Sequence, residues 1–390
     1  MMPLNEFPYE FPALARDTFK GLPGLLADSL PDKFGNAIID AWLASQGRTA
    51  ASFNPVERLC YIGQRGMGAL EFEPVLHDLS NETKRIELEK LVALVNKILD
   101  QRAGLSGVLS GIDDHETLEN VLRVGTSAGG ARAKAILAWN PETGEFRSGQ
   151  LDLEPGFEHW LLKFDGIRNN RDKEISDPLG YGKIEYSYYL IAKEIGINMM
   201  FSTIHDEGGR SHFMTKRFDR LDNGRKIHAQ TLGAIAHYDY NLAGSYSYEQ
   251  AIQVMKRIGL SREELEQQVL RTFFNIVGRN QDDHVKNIGF LMDRRGKWRL
   301  SPAYDLTYSW NPSGQWTSLH QMSVNNKRGD FEREDLISFA KTAGIKENGA
   351  NEMIDLVINM FKNWPAVADS VGVSAENIEK ISSALRVNTF

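Results

Sequence analysis

The chain has 390 residues, with 45 Lys and Arg against 52 Asp and Glu, a net charge of −7 at neutral pH. With 42% hydrophobic and 25% charged residues it has a globular composition, which excludes collagen-like, low-complexity and wholly disordered chains. The acidic balance carries no basic block, which excludes broad binding to a nucleic-acid backbone, and no apolar run reaches the roughly 18–20 residues of a membrane span.

No basic segment followed by an apolar run opens the chain, so a cytoplasmic protein without membrane contact is expected. The single cysteine, Cys60, excludes a disulfide framework and Cys-based metal sites, and is expected in the core. At roughly 100–200 residues per domain, the length suggests two lobes.

Residues 21–32 read as a turn, a short apolar helix and a second turn. Leu88, Leu91, Val92, Val95 and Leu99 predict a helix over 86–103, and a shorter one is expected over 116–122, broken at Gly125. Residues 134–139 read as a strand that turns through 140–144 into a second strand. The strand expected over 158–165 puts Trp160, Leu162 and Phe164 on one face and Leu161, Lys163 and Asp165 on the other.

A helix is predicted over 182–196, stopped by Gly196, with Glu185 beside its apolar stripe. Strands over 199–205 and 212–219 complete a small antiparallel sheet with one helix laid against it, and a hinge is placed at 219–226. Helices follow over 248–258, 261–278 with a Ser-x-x-Glu capping box, 333–343 and 350–362, interrupted by a hairpin over 288–300. His115, His159, His212, His228 and His237 show no metal-ligand spacing and read as structural or surface residues.

Three motifs could carry chemistry. The first is Val124-Gly125-Thr126-Ser127-Ala128-Gly129-Gly130-Ala131-Arg132-Ala133-Lys134, whose small residues would let backbone N–H groups approach phosphate oxygens while Lys134 adds a charge; the alternative is a surface loop without a ligand. The second is Asn280-Gln281-Asp282-Asp283-His284-Val285-Lys286-Asn287. Its Asp-x-x-x-x-Asn spacing is that of a kinase catalytic loop, with Asp282 to accept the acceptor hydroxyl proton and Asn287 to hold Mg²⁺; the alternatives are a polar turn and a hydrolase metal cluster. The third is Ser301-Pro302-Ala303-Tyr304-Asp305-Leu306, in which Asp305 offers a hard carboxylate to Mg²⁺. Their order along the chain is a kinase's order: small-residue loop, strand Lys163, helix Glu185, hinge strand, catalytic loop, hairpin, Asp305.

With these elements placed, the chain resembles the HipA-type serine/threonine kinases, the toxins of bacterial toxin–antitoxin pairs, over nearly its whole length. The resemblance rests on Leu26-Ala27-Asp28-Ser29-Leu30-Pro31-Asp32, the loop 127–134, Leu162-Lys163, Glu185-Tyr186, Arg217-Phe218-Asp219-Arg220, residues 282–287 and Tyr304-Asp305. It implies an α+β, bilobal kinase-like fold, with a small antiparallel sheet lobe and a mainly helical C-terminal lobe. Residues 1–115 would be a helical packing subdomain, 116–225 the lobe with the glycine-rich loop, and 226–390 the helical lobe with the catalytic loop.

The resemblance also implies ATP and Mg²⁺ as cofactors, with Asp282 as base and Asn287 and Asp305 on the metal. Gly129, Gly130, Ala131, Arg132, Ala133, Lys134, Lys163, Lys216, Arg217, Phe218, His284 and Lys286 would bind the nucleotide, with 216–218 at the adenine hinge and Glu185 supporting Lys163. Ser127 would be an autophosphorylation site that shuts the enzyme down. Implied partners are a helix-turn-helix antitoxin, through which alone DNA is met, and a protein substrate such as an aminoacyl-tRNA synthetase. Arg132 stands where relatives often have Gln, and Asp283 where Gly is common. Relatives carry a further small subdomain ahead of the Leu-Pro-Asp segment, expected here as a separate small chain or as the product of a misplaced start. The residues alone are also compatible with a small-molecule phosphotransferase, or with an inactive corepressor beside a DNA-binding partner.

Overall fold

A computed structural model of the chain describes residues 14–76, 85–100, 121–122, 124–125, 132–148, 153–167, 179–221 and 224–390. Two single turns, α1 (Arg16–Phe19) and α2 (Gly24–Ala27), open it, the second inside the expected turn–helix–turn phrase. Helix α3 (Lys33–Ser45) starts where the Asp32 carboxylate accepts the Gly35 N–H at 2.6 Å, and α4 (Pro55–Ile62) where Asn54 and Glu57 form a capping box ahead of Pro55. Helix α5 (Leu88–Asp100) is the one predicted over 86–103, of which 101–103 lie outside the described residues. The same holds for most of the short helix expected over 116–122.

The sheet of the first lobe is built from β1 (Lys134–Trp139), β2 (Phe146–Arg147) and β3 (Glu158–Lys163), then, after helix α6 (Tyr181–Ile195), from β4 (Ser202–Glu207) and β5 (Arg210–Lys216). Its order is β2-β1-β3-β5-β4, antiparallel throughout. Period-two alternation puts Ala135, Leu137, Trp160, Leu162 and Met214 in one core with Phe34, Ile38, Ile39, Leu91, Val92 and Val95 from α3 and α5. One helix was expected on this sheet; α6 lies on one face, and α3 with α5 covers the other, because Trp160 and Leu162 need apolar cover.

Helix α6 ends at Gly196 with φ of +90°, a left-handed stop that fits the expectation. The strand expected over 199–205 begins only at Ser202. Before it, Met199 forms a parallel bridge with Ala303, whose N–H donates to the Asn198 carbonyl at 2.8 Å, stitching the two lobes. Cys60 is half-buried near the Glu73 carbonyl, at the edge of the fold and not in its core.

The second lobe contains β6 (His228–Thr231), α7 (Leu232–Ala236), α8 (Tyr248–Arg257), α9 (Arg262–Val277), β7 (Gly289–Met292), β8 (Trp298–Leu300), α10 (Arg333–Thr342), α11 (Glu347–Lys362), α12 (Trp364–Ser370) and α13 (Ala375–Ala384). The expected hairpin is present as β7 and β8, and it gains a third strand, β6, on its β7 edge. The predicted Ser261/Glu264 capping box opens α9. Tyr188 of α6 packs among Phe274, Phe361 and Trp364, and the Trp364 indole N–H donates to Ser187 Oγ at 2.9 Å. Thus α6 belongs to both lobes, which fixes what its polar side chains face.

His159 and His212 are buried, which pushes their pKa values down to about 3 and about 4, in keeping with a structural role. His115 lies outside the described residues. Among the described residues no helix is long and apolar enough to cross a membrane, and no group of three His, Cys, Asp or Glu could hold a metal.

The expected hinge at 219–226 starts from a buried charge cluster. Asp219 accepts from Arg217 Nη2 at 2.7 Å, Arg220 Nη1 at 2.8 Å and the Gly68 N–H at 2.7 Å. Burial alone would raise this carboxyl, but the two guanidinium groups hold it well below the usual range. Asp219→Ala would strand two buried cations, so a loss of roughly 3–5 kcal/mol is expected from the urea denaturation midpoint, whereas Lys341→Ala, which breaks an exposed pair with Glu347, should leave the midpoint unchanged.

Candidate functional site

A cleft of about 1290 Å³ separates the lobes, and its wall collects side chains from opposite ends of the sequence. Strand alternation turns Leu161 and Lys163 toward it while Trp160 and Leu162 enter the sheet core. Lys163 Nζ lies 2.5 Å from Glu185 Oε1 and also bonds Asp305 Oδ1, so one ammonium joins strand β3, helix α6 and the segment after β8. Arg132 reaches the other Glu185 oxygen at 2.5 Å and stacks over the Tyr181 ring. Burial by itself would lower the Lys163 pKa; the Asp305 and Glu185 carboxylates outweigh it and keep the ammonium charged. Burial likewise acts to raise Asp305, but Lys163 and then Lys134 hold it well below the carboxylate range. Asp305 has φ of +55°, a strained conformation for a residue with a side chain and one that recurs at functional sites.

On the opposite wall, the Asp282 side chain is half exposed, with His284 Nε2 4.0 Å from its carboxylate. Its backbone is held: the Asp282 N–H donates to Ser309 Oγ at 2.9 Å, and the Asn287 amide N–H donates to the Asp282 carbonyl at 2.7 Å. This closes the six-residue loop and leaves the Asn287 amide oxygen as its atom for a hard cation. Asn280 donates to both Asn275 and the Asp305 carbonyl, coupling the two acidic motifs directly.

Of the residues singled out from the sequence, Arg132, Lys134, Lys163, Glu185, Lys216, Arg217, Phe218, Asp282, His284, Lys286, Asn287 and Asp305 all line this cleft. Ala133 does not: its methyl is buried in the sheet-lobe core. Arg217 reaches the cleft wall with its guanidinium committed to Asp219. Lys216 pairs with Glu158 at 3.0 Å, and Phe218 packs on Tyr304. Thr126, Ser127, Gly129, Gly130 and Ala131 lie outside the described residues.

Three acidic residues gain roles that spacing did not reveal. Asp28 accepts the Thr231 N–H at 2.8 Å and its hydroxyl at 2.9 Å, and lies 3.9 Å from Lys286 Nζ. Asp32, besides capping α3, lies 3.7 Å from Lys134 Nζ. Asp283 points away from the cleft into the second lobe, bonded to Tyr248, His320 and Gln321. The signal for the first two was present in the Leu-Pro-Asp phrase; that for Asp283 was its burial, which no spacing announces.

Burial raises Asp32 to about 6 despite Lys134, and lowers Lys134 itself. A carboxyl whose folded pKa exceeds its unfolded value favours the folded state when protonated. Its contribution is therefore complete below about pH 4 and lost as pH rises through about 6. Asp32→Asn, which preserves the helix cap, should remove that part of the stability decline between pH 4 and 6 in denaturation curves; an unchanged profile would show that Asp32 titrates normally.

A model of the HipA-like C-terminal domain matches residues 126–364, and a model of the HipA N-terminal domain matches residues 1–73. The structure titled as the Shewanella oneidensis MR-1 toxin–antitoxin system HipA, HipB and its operator DNA complex superposes with a TM-score of 0.63 at 17% identity, covering 93% of this chain and 82% of that one. That likeness shows the fold. The proinflammatory kinase CtkA of Helicobacter pylori gives a TM-score of 0.39 at 12% identity, over 67% of this chain and 91% of that one. With its C-terminal domain match spanning more than half of its length and an N-terminal domain match ahead of it, the chain belongs to the HipA-like family.

Proposed function

We propose that the protein is an ATP- and Mg²⁺-dependent serine/threonine protein kinase, the toxin of a toxin–antitoxin pair, that phosphorylates itself on Ser127. The observation that carries this reading is Lys163 held jointly by Glu185 and Asp305, facing the half-exposed Asp282 across one cleft. Lys163, Lys134 and Lys286 supply the positive charge that a triphosphate requires. Asp305 and the Asn287 amide oxygen are the donors that would hold Mg²⁺, which suits an ion bound through one or two protein oxygens plus substrate phosphates. When bound, the metal draws charge from the phosphate oxygens.

In the transfer, the acceptor hydroxyl oxygen bonds to the γ-phosphorus, the bond from that phosphorus to the ADP oxygen breaks, and Asp282 takes the hydroxyl proton. The cleft of about 1290 Å³ is to hold both nucleotide and acceptor, and the polypeptide acceptor is preferred over an antibiotic or sugar on the family resemblance. An aminoacyl-tRNA synthetase is the acceptor class that the family resemblance suggests. The antitoxin is read as a HipB-like helix-turn-helix protein, because the matched structure is a complex with HipB and operator DNA. DNA contact is assigned to that partner, in keeping with the chain's net charge of −7.

Asp282→Asn is expected to lower phosphoryl transfer from labelled Mg–ATP by about 10²–10⁴-fold while nucleotide affinity stays within a few-fold, and normal turnover would sink the assignment. Asp305→Asn should instead weaken Mg-dependent nucleotide binding in a calorimetric titration, and an unchanged affinity would remove Asp305 from the metal site. Phosphate on Ser127 would add about −1.5 to −2 charges beside the triphosphate. Mass spectrometry after incubation with Mg–ATP should find it there, with Thr126 as the lesser site, and Ser127→Asp should no longer bind ATP. A bare loop in the spectrum together with normal binding by that variant would overturn the autoinhibitory role.

A further inference from the structure

Directly after Asp282, the chain dives into the second lobe. Asp283 is 2% exposed, and its carboxylate accepts from the Tyr248 hydroxyl at 2.7 Å and from the Gln321 N–H at 2.8 Å. Its remaining contact is His320 Nδ1 at 2.8 Å. His320 is itself buried, and its other ring nitrogen, Nε2, lies 2.9 Å from Arg386 Nη1. A guanidinium only donates, so Nε2 must accept, the proton must sit on Nδ1, and Nδ1–H donates to Asp283. The partners on either side therefore fix one tautomer of a neutral imidazole.

Arg386 is buried near the C-terminal end of the chain and has further ties to the end of α9 and to the residue that precedes Asp282. Its Nη1 donates to the Ile276 carbonyl at 2.8 Å, its Nη2 to Gln281 Oε1 at 3.4 Å, and its backbone N–H to the Val277 carbonyl at 3.0 Å. Arg279 adds a second donor to Gln281 Oε1 at 3.2 Å and itself bonds the Ala384 carbonyl at 2.7 Å. The residue before Asp282 is thus gripped by Arg386 directly, and the residue after it through His320. The cation at one end of this relay balances the carboxylate at the other across a neutral ring.

We propose that His320 and Arg386 are positioning residues: through the Asp283–His320–Arg386 relay, the segment after α13 holds the catalytic loop so that Asp282 meets the acceptor hydroxyl. The inference rests on the kinase reading for what Asp282 does, but not for the relay itself. A displacement of about 1 Å in a catalytic group costs about 10²-fold in rate, so loosening either anchor should tell on turnover and not on nucleotide binding.

The experiment uses the full chain with Mg–ATP, measuring self-labelling rate, KM for ATP, and hydrogen exchange at the amides of residues 281–283. Arg386→Ala and His320→Ala should each lower the maximal rate by about 10–100-fold, leave KM for ATP within about threefold, and speed exchange at those amides at least about tenfold. His320→Asn, whose amide nitrogen can replace Nδ1 toward Asp283, should recover part of the rate. The double variant should be no worse than the poorer single one, because both changes break one chain. Unchanged exchange and rate in a folded Arg386→Ala protein would overturn the proposal, and so would a rise in KM with the maximal rate intact. Should the alanine variants not fold, imidazole ¹⁵N spectra of the unmodified protein decide: a proton on Nδ1 of His320 is required, and one on Nε2 refutes the relay. Wild-type protein that transfers no phosphate would defeat the kinase reading, while exchange and tautomer would still judge the anchor.

Discussion

The structure turns on one buried ammonium. Lys163 sits between two carboxylates that belong to different parts of the chain, Glu185 on a helix shared by both lobes and Asp305 in the strained turn after the hairpin. A lone buried cation costs far more than the fold can bear, so its two partners must be present and correctly placed. That requirement sets the packing of α6 on the sheet, since only there can Glu185 meet Lys163. It also explains Arg132: with Lys163 on one oxygen of Glu185, the guanidinium balances the other, and the stacking on Tyr181 holds it there. Strand β3, helix α6 and the Asp305 turn thus meet at the edge of the cleft.

A second set of charges comes from the N-terminal segment, which crosses between the lobes. Asp28 is bound to Thr231 of the second lobe, and Asp32 faces Lys134 of the first. Both carboxylates lie near lysines on the cleft wall, Asp32 beside the buried Lys134 and Asp28 beside Lys286, so part of that positive charge is balanced from within the chain. A polyanion entering here would compete with these internal partners. Site and N-terminal segment are consequently one electrostatic unit, although more than a hundred residues separate Asp32 from Lys163.

Much of this was legible in the sequence because the relevant elements follow local rules. The Gly196 stop, the Ser261/Glu264 capping box and the alternation in 158–165 each rest on a few neighbouring residues, and each appears where expected. The Asp282 to Asn287 spacing was equally local. What escaped depends on contacts distant in sequence. Strand β6 is only four residues long and carries His and Gln, so it gains strand character only by pairing with β7. Helices α3 and α4 were unassigned, although Asp32 and the Asn54/Glu57 pair could have marked their starts. Ala133, grouped with the phosphate loop through the family resemblance, has its methyl in the core of the sheet lobe, a placement that depends on packing and not on local spacing. Asp283, singled out from the sequence as a departure at a position often occupied by glycine, proves to be an anchor with three buried partners, because the second lobe supplies Tyr248, His320 and Gln321 to receive it.

The crossing of the N-terminal segment has a mechanical consequence. Only three residues lie between Asp28, fastened to one lobe, and Asp32, facing the other, and the four residue steps from one to the other reach no more than about 14 Å when fully extended. The segment is therefore a short tether beside the cleft. While both of its ends hold, the lobes cannot draw apart on this side, and any separation would be wider at the far rim of the cleft than beside Lys134 and Lys286.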